Sequence, residues 1–376
     1  MVNFPRAGTP GSTETMLLNI GPQHPSTHGV LHIMTEIAGE TIVSAKPVIG
    51  YLHRGIEKLA EQRLWSQNTV LLDRCDYVAQ FSNEWVYVRA VEKLSNIEVP
   101  ERAEWLRTLM VELNRITSHL IWYAGVTMDI GALGTPFIYA WVARERIFDF
   151  YETVTGARVM PNWMRLGGVH TDISAEDLKA MRDFLEKDFP KEIDEYEALL
   201  VGNEIVQSRM RGIGVFTVEQ LTEWGVTGPA LRASGSALDV RRDAPYGVYD
   251  KLDWSVCTDE VGDSLARCRV RIAELRESAR MCVQLIDGMP GGEIRSKVSR
   301  VLKPEPGDCM VRAESPRGEI GVLVASDGAT KPLRFRLRSP IFYNLSAMPH
   351  MLPGHLLADM LVIFGGIDTS MGEIDR

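Results

Sequence analysis

The stretch Gly21-Pro22-Gln23-His24-Pro25-Ser26-Thr27-His28-Gly29-Val30 decides how the N-terminal part of the chain folds. Proline removes a backbone donor and glycine loosens the backbone, so neither a helix nor a central strand tolerates this mixture. The stretch therefore predicts a tight loop. Histidine titrates near neutral pH, which makes both histidines candidate proton donors, although a turn with two surface histidines explains the same residues.

Strand patterns lie on both sides of this loop, at residues 15–20 and 30–37, and a third follows at 41–48. Leu31, Ile33 and Ile37 share one face at the period of two that a half-buried strand requires. We therefore expect the loop to join two strands of a small antiparallel sheet.

Helical periodicity takes over after Gly55 and continues to Gly288. Expected helices include one opened by Pro100, one opened by Pro136, one capped by Ser174, one at 190–200 and one at 263–287. Tyr77 is expected on a helical stripe with Phe81. Residues 290–306 are rich in Pro and Gly and predict a linker, followed by a hairpin around Asp327-Gly328.

This order of elements predicts an α+β fold with three segments. They are an N-terminal antiparallel sheet with the His loop (1–54), a helical bundle (55–288), and a linker with a C-terminal β-hairpin and tail (289–376). Residues 119–143 are apolar and long enough to cross a bilayer, but Asp129 and Pro136 interrupt them. We expect two buried helices that meet at a corner holding Asp129.

Composition narrows the class of function. The 376 residues carry a net charge of −9 without a Lys/Arg run, which argues against nucleic-acid binding. The five cysteines form no C-x-x-C pair, so neither a disulfide framework nor a zinc site is expected. The first fifteen residues lack an apolar signal-peptide core, so we expect the protein to remain in the compartment where it is made.

Several familiar chemistries have no motif here. The chain lacks a P-loop, a G-x-S-x-G elbow and an H-E-x-x-H helix, and Gly212-Ile213-Gly214 is a bare G-x-G. His24 and His28 have the i,i+4 spacing that suits zinc on a helix. Pro25 and Gly29 oppose a helix at that place, and no third ligand is evident beside them.

The sequence resembles the 49 kDa subunit (the D subunit of bacteria) of the proton-pumping NADH:quinone oxidoreductase, respiratory complex I. The resemblance runs in collinear order over nearly the whole chain. Beyond the opening loop it is carried by the stretches Ile49-Gly50-Tyr51-Leu52-His53-Arg54-Gly55-Ile56-Glu57-Lys58, Asp73-Arg74-Cys75-Asp76-Tyr77, Ala90-Val91-Glu92-Lys93-Leu94, Asp129-Ile130-Gly131-Ala132-Leu133, Leu231-Arg232-Ala233-Ser234-Gly235, Gly318-Glu319-Ile320-Gly321 and Met371-Gly372-Glu373-Ile374-Asp375-Arg376.

This family is related to the large subunits of nickel–iron hydrogenases, which bind their metals with two cysteine pairs. Around Arg74 this chain has only Cys75, and its tail has Asp368-Thr369-Ser370-Met371 in place of the second pair. A soft-metal site needs several converging thiolates. The resemblance therefore implies a hydrogenase-like fold in which a quinone site replaces the metal site.

The same resemblance implies roles for individual residues. His28 and Tyr77 would hydrogen-bond the two carbonyl oxygens of the quinone, menaquinone or ubiquinone, and Asp129 would pair with His28. Ser370 would line the quinone pocket. Arg74 and Met160 would face a 4Fe–4S cluster held by the neighbouring B subunit. No metal is expected on this chain itself.

The implied function is the quinone-site subunit of an enzyme that passes electrons from NADH through FMN and iron–sulfur centres to quinone and couples this to proton translocation. Implied partners are subunits B, C and I of the peripheral arm and membrane subunits H and A, at the cytoplasmic face of the bacterial plasma membrane. A ferredoxin-linked or hydrogenase-related membrane complex is the alternative, because the electron-input module lies on other chains. A third hypothesis is an interaction protein with an inactive site. It is disfavoured because His28, Tyr77 and Asp129 are all present.

Three positions depart from the family pattern. Met160 stands where many members have a histidine, so we expect a cluster potential that depends only weakly on pH. Gly134 is an extra residue after Asp129, and Ser370 replaces a more usual valine. We expect Gly134 to shift the helix carrying Asp129 relative to the next helix, and Ser370 to alter the affinity for quinone or inhibitors.

Overall fold

The computed structural model describes residues 14–23, 29–131 and 134–376 of the chain. Residues 24–28, and with them the predicted quinone ligand His28, lie outside the described residues, as do Ala132 and Leu133. Secondary structure is described for every other predicted site residue.

The described chain contains helices and short antiparallel strands. The strands are β1 (Met16–Ile20), β2 (His32–Ala38), β3 (Thr41–Val48), β4 (Met164–Arg165), β5 (Gly168–Val169), β6 (Gly307–Ser315), β7 (Gly318–Ser326) and β8 (Arg334–Arg338). The helices are α1 (Ile56–Ala60), α2 (Thr69–Asp73), α3 (Gln80–Leu94), α4 (Glu101–Asp129), α5 (Gly134–Thr155), α6 (Ala175–Asp183), α7 (Phe189–Leu200), α8 (Glu204–Met210), α9 (Val218–Glu223), α10 (Pro229–Arg232), α11 (Val240–Asp243), α12 (Ser264–Asp287), α13 (Pro340–Ser346), α14 (Met348–Met351), α15 (Leu357–Ile367) and α16 (Met371–Asp375).

The N-terminal sheet has the order β1-β2-β3, and each neighbouring pair is antiparallel. β1 and β2 pair from Met16 opposite Ile37 to Ile20 opposite Ile33, so the opening loop joins two paired strands, as predicted. Leu31, Ile33 and Ile37 are buried on one face. That face belongs to an apolar core shared with the C-terminal helices.

The helical middle of the chain packs around α4, α5 and α12. α4 begins after Pro100 and ends at Asp129, and α5 begins at Gly134, so the apolar stretch forms two helices that meet at a corner. The expectation that both are buried is wrong, because the first turns of α5 expose large apolar side chains. Ser174 caps α6, while Asp263 and Gly288 flank α12. These signals work because capping side chains and terminal glycines satisfy the free backbone groups of helix ends. No described helix combines the length and the apolar character needed to span a membrane.

The prediction that Tyr77 belongs to the helical stripe of Phe81 is wrong. Tyr77 precedes α3, which begins at Gln80, and lies in the turn after α2. Its side chain is 36% exposed, whereas Phe81 and Trp85 are buried. Apolar spacing alone could not show where the helix begins, because Tyr77 falls by chance on the periodicity that Phe81 continues.

The C-terminal strands form a three-stranded sheet of order β6-β7-β8 rather than an isolated hairpin. The Asp327-Gly328 turn follows β7 as expected, but the sequence pattern did not indicate β6. Cys309, Val311 and Ala313 of β6 are buried at period two. The chain thus combines helices with small antiparallel sheets, and the division into 1–54, 55–288 and 289–376 stays a prediction.

Candidate functional site

A cavity of about 400 Å³ lies where the end of α4 meets the start of α5 and the C-terminal segment. Its volume falls in the range of about 300–1,000 Å³ that is usual for small-molecule sites. It brings together three of the residues predicted from sequence, Tyr77, Asp129 and Ser370. The complete lining among the described residues is Tyr77, Val78, Ile121, Trp122, Gly125, Met128, Asp129, Phe137, Trp141, Arg317, Asp368, Thr369 and Ser370.

The walls of the cavity are mainly aromatic and aliphatic. Phe137 and Trp141 stack on each other, with ring centroids 5.1 Å apart and an interplanar angle of 17°. Trp122 is fixed by a hydrogen bond of 2.7 Å from its indole nitrogen to the carbonyl oxygen of Gly365. A flat ring with polar groups at its edges suits such walls, because the faces contact apolar surface while the polar groups reach a few fixed partners.

Asp129 is the last residue of α4, is partly buried and lines the cavity. Ile121, Gly125 and Met128 of the same helix line the cavity with it. Their spacing of three, four and seven residues places them on one helix face. The geometry between Asp129 and His28 falls outside the described residues, so their pairing stays a prediction.

Tyr77 contacts the C-terminal helix α16. A Cβ atom added to Gly372 would lie 3.2 Å from Tyr77 Cε1 and 2.9 Å from the carbonyl oxygen of Cys75. Only glycine leaves room for this approach, which explains the glycine at position 372. The tail and the Tyr77 turn therefore form one continuous wall.

Arg317 connects the two parts of this wall through hydrogen bonds and ion pairs. Its Nη1 lies 2.5 Å from Asp76 Oδ2, and its Nε donates to the carbonyl oxygen of Asp368 at 3.1 Å and lies 3.2 Å from the Asp368 carboxylate. Asp76 also accepts a hydrogen bond of 3.1 Å from the Val78 amide, which fixes the turn containing Tyr77. The fork of donors on a guanidinium suits two carboxylates at once.

Sequence reasoning missed Arg317. No local sequence signal could have found it, because only the folded chain shows that Asp76 and Asp368 are buried and need a cation. Burial and the nearby Asp76 raise the pKa of Glu373 well above its usual range, and Arg317 opposes this only in part. The surroundings of Glu373 therefore favour its protonated form more than water does.

A second depression, of about 480 Å³, is lined in part by Glu57, Lys58, Arg334 and Arg336. It includes none of the residues predicted to bind quinone. Its charged rim is a poor match for an apolar ring, so we take the aromatic cavity as the candidate site.

Comparison with known proteins identifies the family. The sequence pattern of the family described as "Respiratory-chain NADH dehydrogenase, 49 Kd subunit" matches residues 129–306 and 295–376. The chain is 46% identical over 364 residues to the NADH-quinone oxidoreductase D subunit of Dehalococcoides mccartyi, covering 97% of this chain and 99% of the relative.

The chain belongs to this 49 kDa subunit family.

Other relatives agree over the same extent. The D subunit of the same enzyme from Clostridium beijerinckii is 43% identical over 364 residues, covering 97% of this chain and 98% of the relative. Its counterpart from Geobacillus kaustophilus is 44% identical, covering 96% and 99%. These relatives are thus named as subunits of an NADH-quinone oxidoreductase.

In this member of the 49 kDa family, Arg74 and Met160 are not among the described residues that line the cavity. Arg74 directly follows α2, and its side chain is 44% exposed. Its Nη1 donates to the Val70 carbonyl oxygen at 3.0 Å, and its own carbonyl oxygen accepts from Arg54 at 2.7 Å. Met160 is partly buried and has a positive φ of 54°.

Two buried carboxyl groups tie the Met160 turn to the helix end beside Arg74. Asp73 accepts a hydrogen bond of 2.8 Å from the Asn162 amide, and Glu84 accepts from the amides of Trp163 at 3.3 Å and Met164 at 2.6 Å. Burial raises the pKa of Asp73, and burial together with Asp73 raises the pKa of Glu84. Arg74 and Met160 therefore lie on segments that hydrogen bonds hold together. That they face a 4Fe–4S cluster stays a prediction.

Among residues 14–23, 29–131 and 134–376, no three His, Cys, Asp or Glu side chains converge in a way that could hold a metal ion. All five cysteines are free, and four of them are buried.

Proposed function

We propose that this chain forms the quinone site of an NADH:quinone oxidoreductase of the complex I type. The observation that carries the proposal is the aromatic cavity with Tyr77, Asp129 and Ser370 in its lining. These residues lie far apart in sequence, and the family resemblance independently predicts them for one site.

Reduction of a quinone to a quinol consumes two electrons and two protons. In the proposed site, the Tyr77 hydroxyl donates a hydrogen bond to one carbonyl oxygen and His28 donates to the other. Asp129 orients the His28 ring and favours its protonated form. Trp122, Phe137 and Trp141 supply the apolar walls.

FMN and iron–sulfur centres held by other chains would supply this site with electrons from NADH. In this proposal Arg74 and Met160 would face the terminal 4Fe–4S cluster of the neighbouring B subunit, and the positive charge of Arg74 would favour its reduced form. The names of the relatives favour NADH over ferredoxin as the electron donor of the complex.

Proton transfer from His28 removes the partner charge of Asp129. We infer that the resulting rearrangement is the first step that couples quinone reduction to proton translocation. The chain would then lie at the cytoplasmic face of the plasma membrane, with subunits B, C and I beside it and membrane subunits H and A below. In this proposal the fold is that of a hydrogenase large subunit without its metal site.

The test replaces Tyr77 with Phe and, separately, His28 with Ala in the assembled complex. We expect quinone turnover to fall by about 10²-fold in each variant, the effect of losing a positioned proton donor. The cluster should remain reducible by NADH, as measured by EPR, because electron input is untouched.

Tyr139→Phe is the matched control. Tyr139 is 45% exposed on α5 and does not line the cavity, so turnover should stay at the wild-type value. Unchanged turnover in both Tyr77→Phe and His28→Ala would overturn the proposal.

A further inference from the structure

Three buried polar residues connect helices α15 and α16 at one edge of the cavity. They are Asp368, Thr369 and Ser370, and we call them the polar segment. All three line the cavity, and none of them is more than 4% exposed. The rest of the described lining is mainly aromatic and aliphatic. A ligand in the cavity therefore meets a compact group of polar side chains at this edge.

Hydrogen bonds on both sides hold the polar segment in place. Just before it, the carbonyl oxygen of Gly365 accepts a bond of 2.7 Å from the indole nitrogen of Trp122. Asp368 then turns the chain with a left-handed conformation, φ 59° and ψ 80°, which is costly for a residue other than glycine. Arg317 Nε donates to the Asp368 carbonyl oxygen at 3.1 Å. The segment is thus fixed before any ligand binds, which lowers the entropy cost of binding.

The two hydroxyl groups of the polar segment, on Thr369 and Ser370, have no hydrogen-bond partner among the described residues. The carboxylate of Asp368 differs from them, because it lies 3.2 Å from Arg317 Nε. Most buried polar side-chain atoms have a partner, since a buried hydroxyl without one costs free energy. A ligand that fills the cavity also excludes water from these hydroxyls. An oxygen or nitrogen acceptor on the ligand would remove this cost.

The two hydroxyls differ in the partners that the chain itself could offer. Ser370 directly precedes α16, and from that position a serine hydroxyl can rotate to bond an amide of the first helical turn. It makes no such bond in this structure, but the partner is within reach of a rotation. Thr369 does not occupy that position, and its branched side chain restricts rotation. Thr369 is therefore the residue whose hydroxyl depends more strongly on a ligand.

The carbonyl oxygens of a quinone are suitable acceptors for this hydroxyl. A carbonyl oxygen has two lone pairs, and in the proposed site Tyr77 and His28 each occupy one lone pair on a different oxygen. One lone pair thus remains free on each oxygen. Negative charge develops on both oxygens during reduction, which strengthens the hydrogen bonds that they accept.

The polar segment lies on the same wall as Tyr77. Gly372, three residues after Thr369, packs so closely on Tyr77 that an added Cβ would lie 3.2 Å from Cε1 of the ring. Arg317 contacts Asp368 and is within electrostatic reach of Tyr77. The oxygen that Tyr77 binds is therefore the carbonyl oxygen assigned to the polar segment.

We propose that Thr369 is a further quinone-binding residue, whose hydroxyl donates a hydrogen bond to the same carbonyl oxygen that Tyr77 binds. This inference rests on the proposed quinone site. Thr369 keeps its own proton throughout the reaction. Its hydroxyl orients the ring and stabilises the charge that develops on the oxygen, while His28 binds the carbonyl oxygen at the opposite end of the ring.

The test uses Thr369→Val in the assembled complex, because valine has nearly the shape of threonine but lacks the hydroxyl. The values of kcat and KM are measured with NADH and two short-chain probes, a dimethoxybenzoquinone and a naphthoquinone without methoxy groups. Both probes carry the two carbonyl oxygens. We expect kcat/KM to fall about 3- to 10-fold with each probe, the effect of one lost hydrogen bond. EPR should show that NADH still reduces the cluster.

Thr369→Ser and Thr127→Val are the matched controls. Thr369→Ser keeps the hydroxyl and should retain the wild-type kcat/KM. Thr127 is as deeply buried as Thr369, but its hydroxyl is bonded within α4, at 2.9 Å from the Tyr123 carbonyl oxygen and 3.0 Å from that of Ala124. It is not among the described residues that line the cavity. Thr127→Val should therefore also retain the wild-type value.

Three results would overturn the proposal. The first is a wild-type kcat/KM for both probes in Thr369→Val. The second is a loss confined to the dimethoxybenzoquinone, because the hydroxyl would then bind a methoxy oxygen. The third is an equal loss in Thr369→Ser, which would assign the effect to packing. Thr369→Ala permits the same comparison if Thr369→Val does not assemble.

A double variant tests whether Thr369 and Tyr77 bind the same oxygen. Groups that share one partner are coupled, so the factors lost in Tyr77→Phe and Thr369→Val should not multiply when the two changes are combined. Factors that multiply would contradict the shared oxygen. Failure of the quinone site itself is distinguishable, because it would appear as unchanged turnover in Tyr77→Phe whatever the Thr369 variants do.

Discussion

Arg317 holds two distant parts of the cavity wall through one guanidinium group. Its partners Asp76 and Asp368 lie on the Tyr77 turn and on the C-terminal segment, and all three side chains are at most 4% exposed. Removal of one member of a buried ion pair leaves the others without a counter-charge. This residue therefore affects both stability and the shape of the site.

We predict that Arg317→Met lowers the free energy of unfolding by about 3 kcal/mol or more, because two buried carboxylates lose their partner. Denaturant unfolding of the purified chain measures this value. Arg312→Met is the control, since Arg312 is 52% exposed beside Glu319 and should contribute less than about 1 kcal/mol. Equal losses in the two variants would contradict the assigned role of Arg317.

At the scale of elements, helix α16 holds the tail against the rest of the site. The Asp375 carboxylate accepts hydrogen bonds from the amides of Gly50 at 2.8 Å and Leu52 at 2.7 Å. Its carbonyl oxygen lies 2.7 Å from Nδ1 of His53. The helix is thus fixed at one end by the strand-to-helix connection and near its start by the packing of Gly372 on Tyr77.

We predict that Gly372→Ala lowers quinone turnover and lowers the free energy of unfolding by about 1–3 kcal/mol, the usual effect of overpacking a close contact. The new methyl group would lie 2.9 Å from the Cys75 carbonyl oxygen, which cannot yield without moving the Tyr77 turn. Turnover and denaturant unfolding are the two measurements. Gly291→Ala is the control, because nothing lies within 4 Å of its added Cβ. Wild-type turnover in Gly372→Ala would show that the Tyr77 turn tolerates displacement.

Elements with strong local signals could be predicted from the sequence. Pro100, Ser174 and Asp263 each mark a helix start because a cap or a missing donor acts within one turn. β6 was missed because its buried Cys309 and Ala313 are small and charges alternate with them, so its strand pattern is weak. Its pairing with β7 decides its conformation.

The cavity residues that could be predicted from the sequence were those that the family resemblance implied. Tyr77, Asp129 and Ser370 line one cavity, whereas the charged residues that support them were not foreseen. Arg317 lies 241 positions from Asp76, and no local pattern connects residues so distant. A charged residue in a sequence suggests a solvated surface, and only tertiary structure shows that it is buried.

At the scale of the whole molecule, the buried carboxyl groups divide into two sets with opposite effects on stability. Glu274 and Glu112 have lowered pKa values, so they contribute stability above the unfolded pKa of about 4.5 that is lost as the pH falls. Glu373 and Glu84 have raised pKa values, so their contribution is complete below about 4.5 and is lost as the pH rises. The summed contribution of these four carboxyl groups to the free energy of unfolding is therefore largest in mildly acidic solution, near the unfolded pKa of about 4.5.

We predict that Glu373→Gln flattens the dependence of the unfolding free energy on pH above about 4.5. In the wild-type chain, the folded state binds the Glu373 proton more tightly than the unfolded state does, so unfolding releases this proton and stability decreases as the pH rises. Glutamine keeps the shape of the protonated side chain but has no proton to release. Denaturant unfolding at about pH 5 and about pH 8 should therefore show a smaller loss of unfolding free energy between the two pH values in Glu373→Gln than in the wild type.

Glu293→Gln is the control. It lies at an exposed position in residues 290–306 and should follow the wild-type curve. Parallel curves for Glu373→Gln and wild type would mean that Glu373 is ionised in the folded chain, with Arg317 neutralising three carboxylates rather than two.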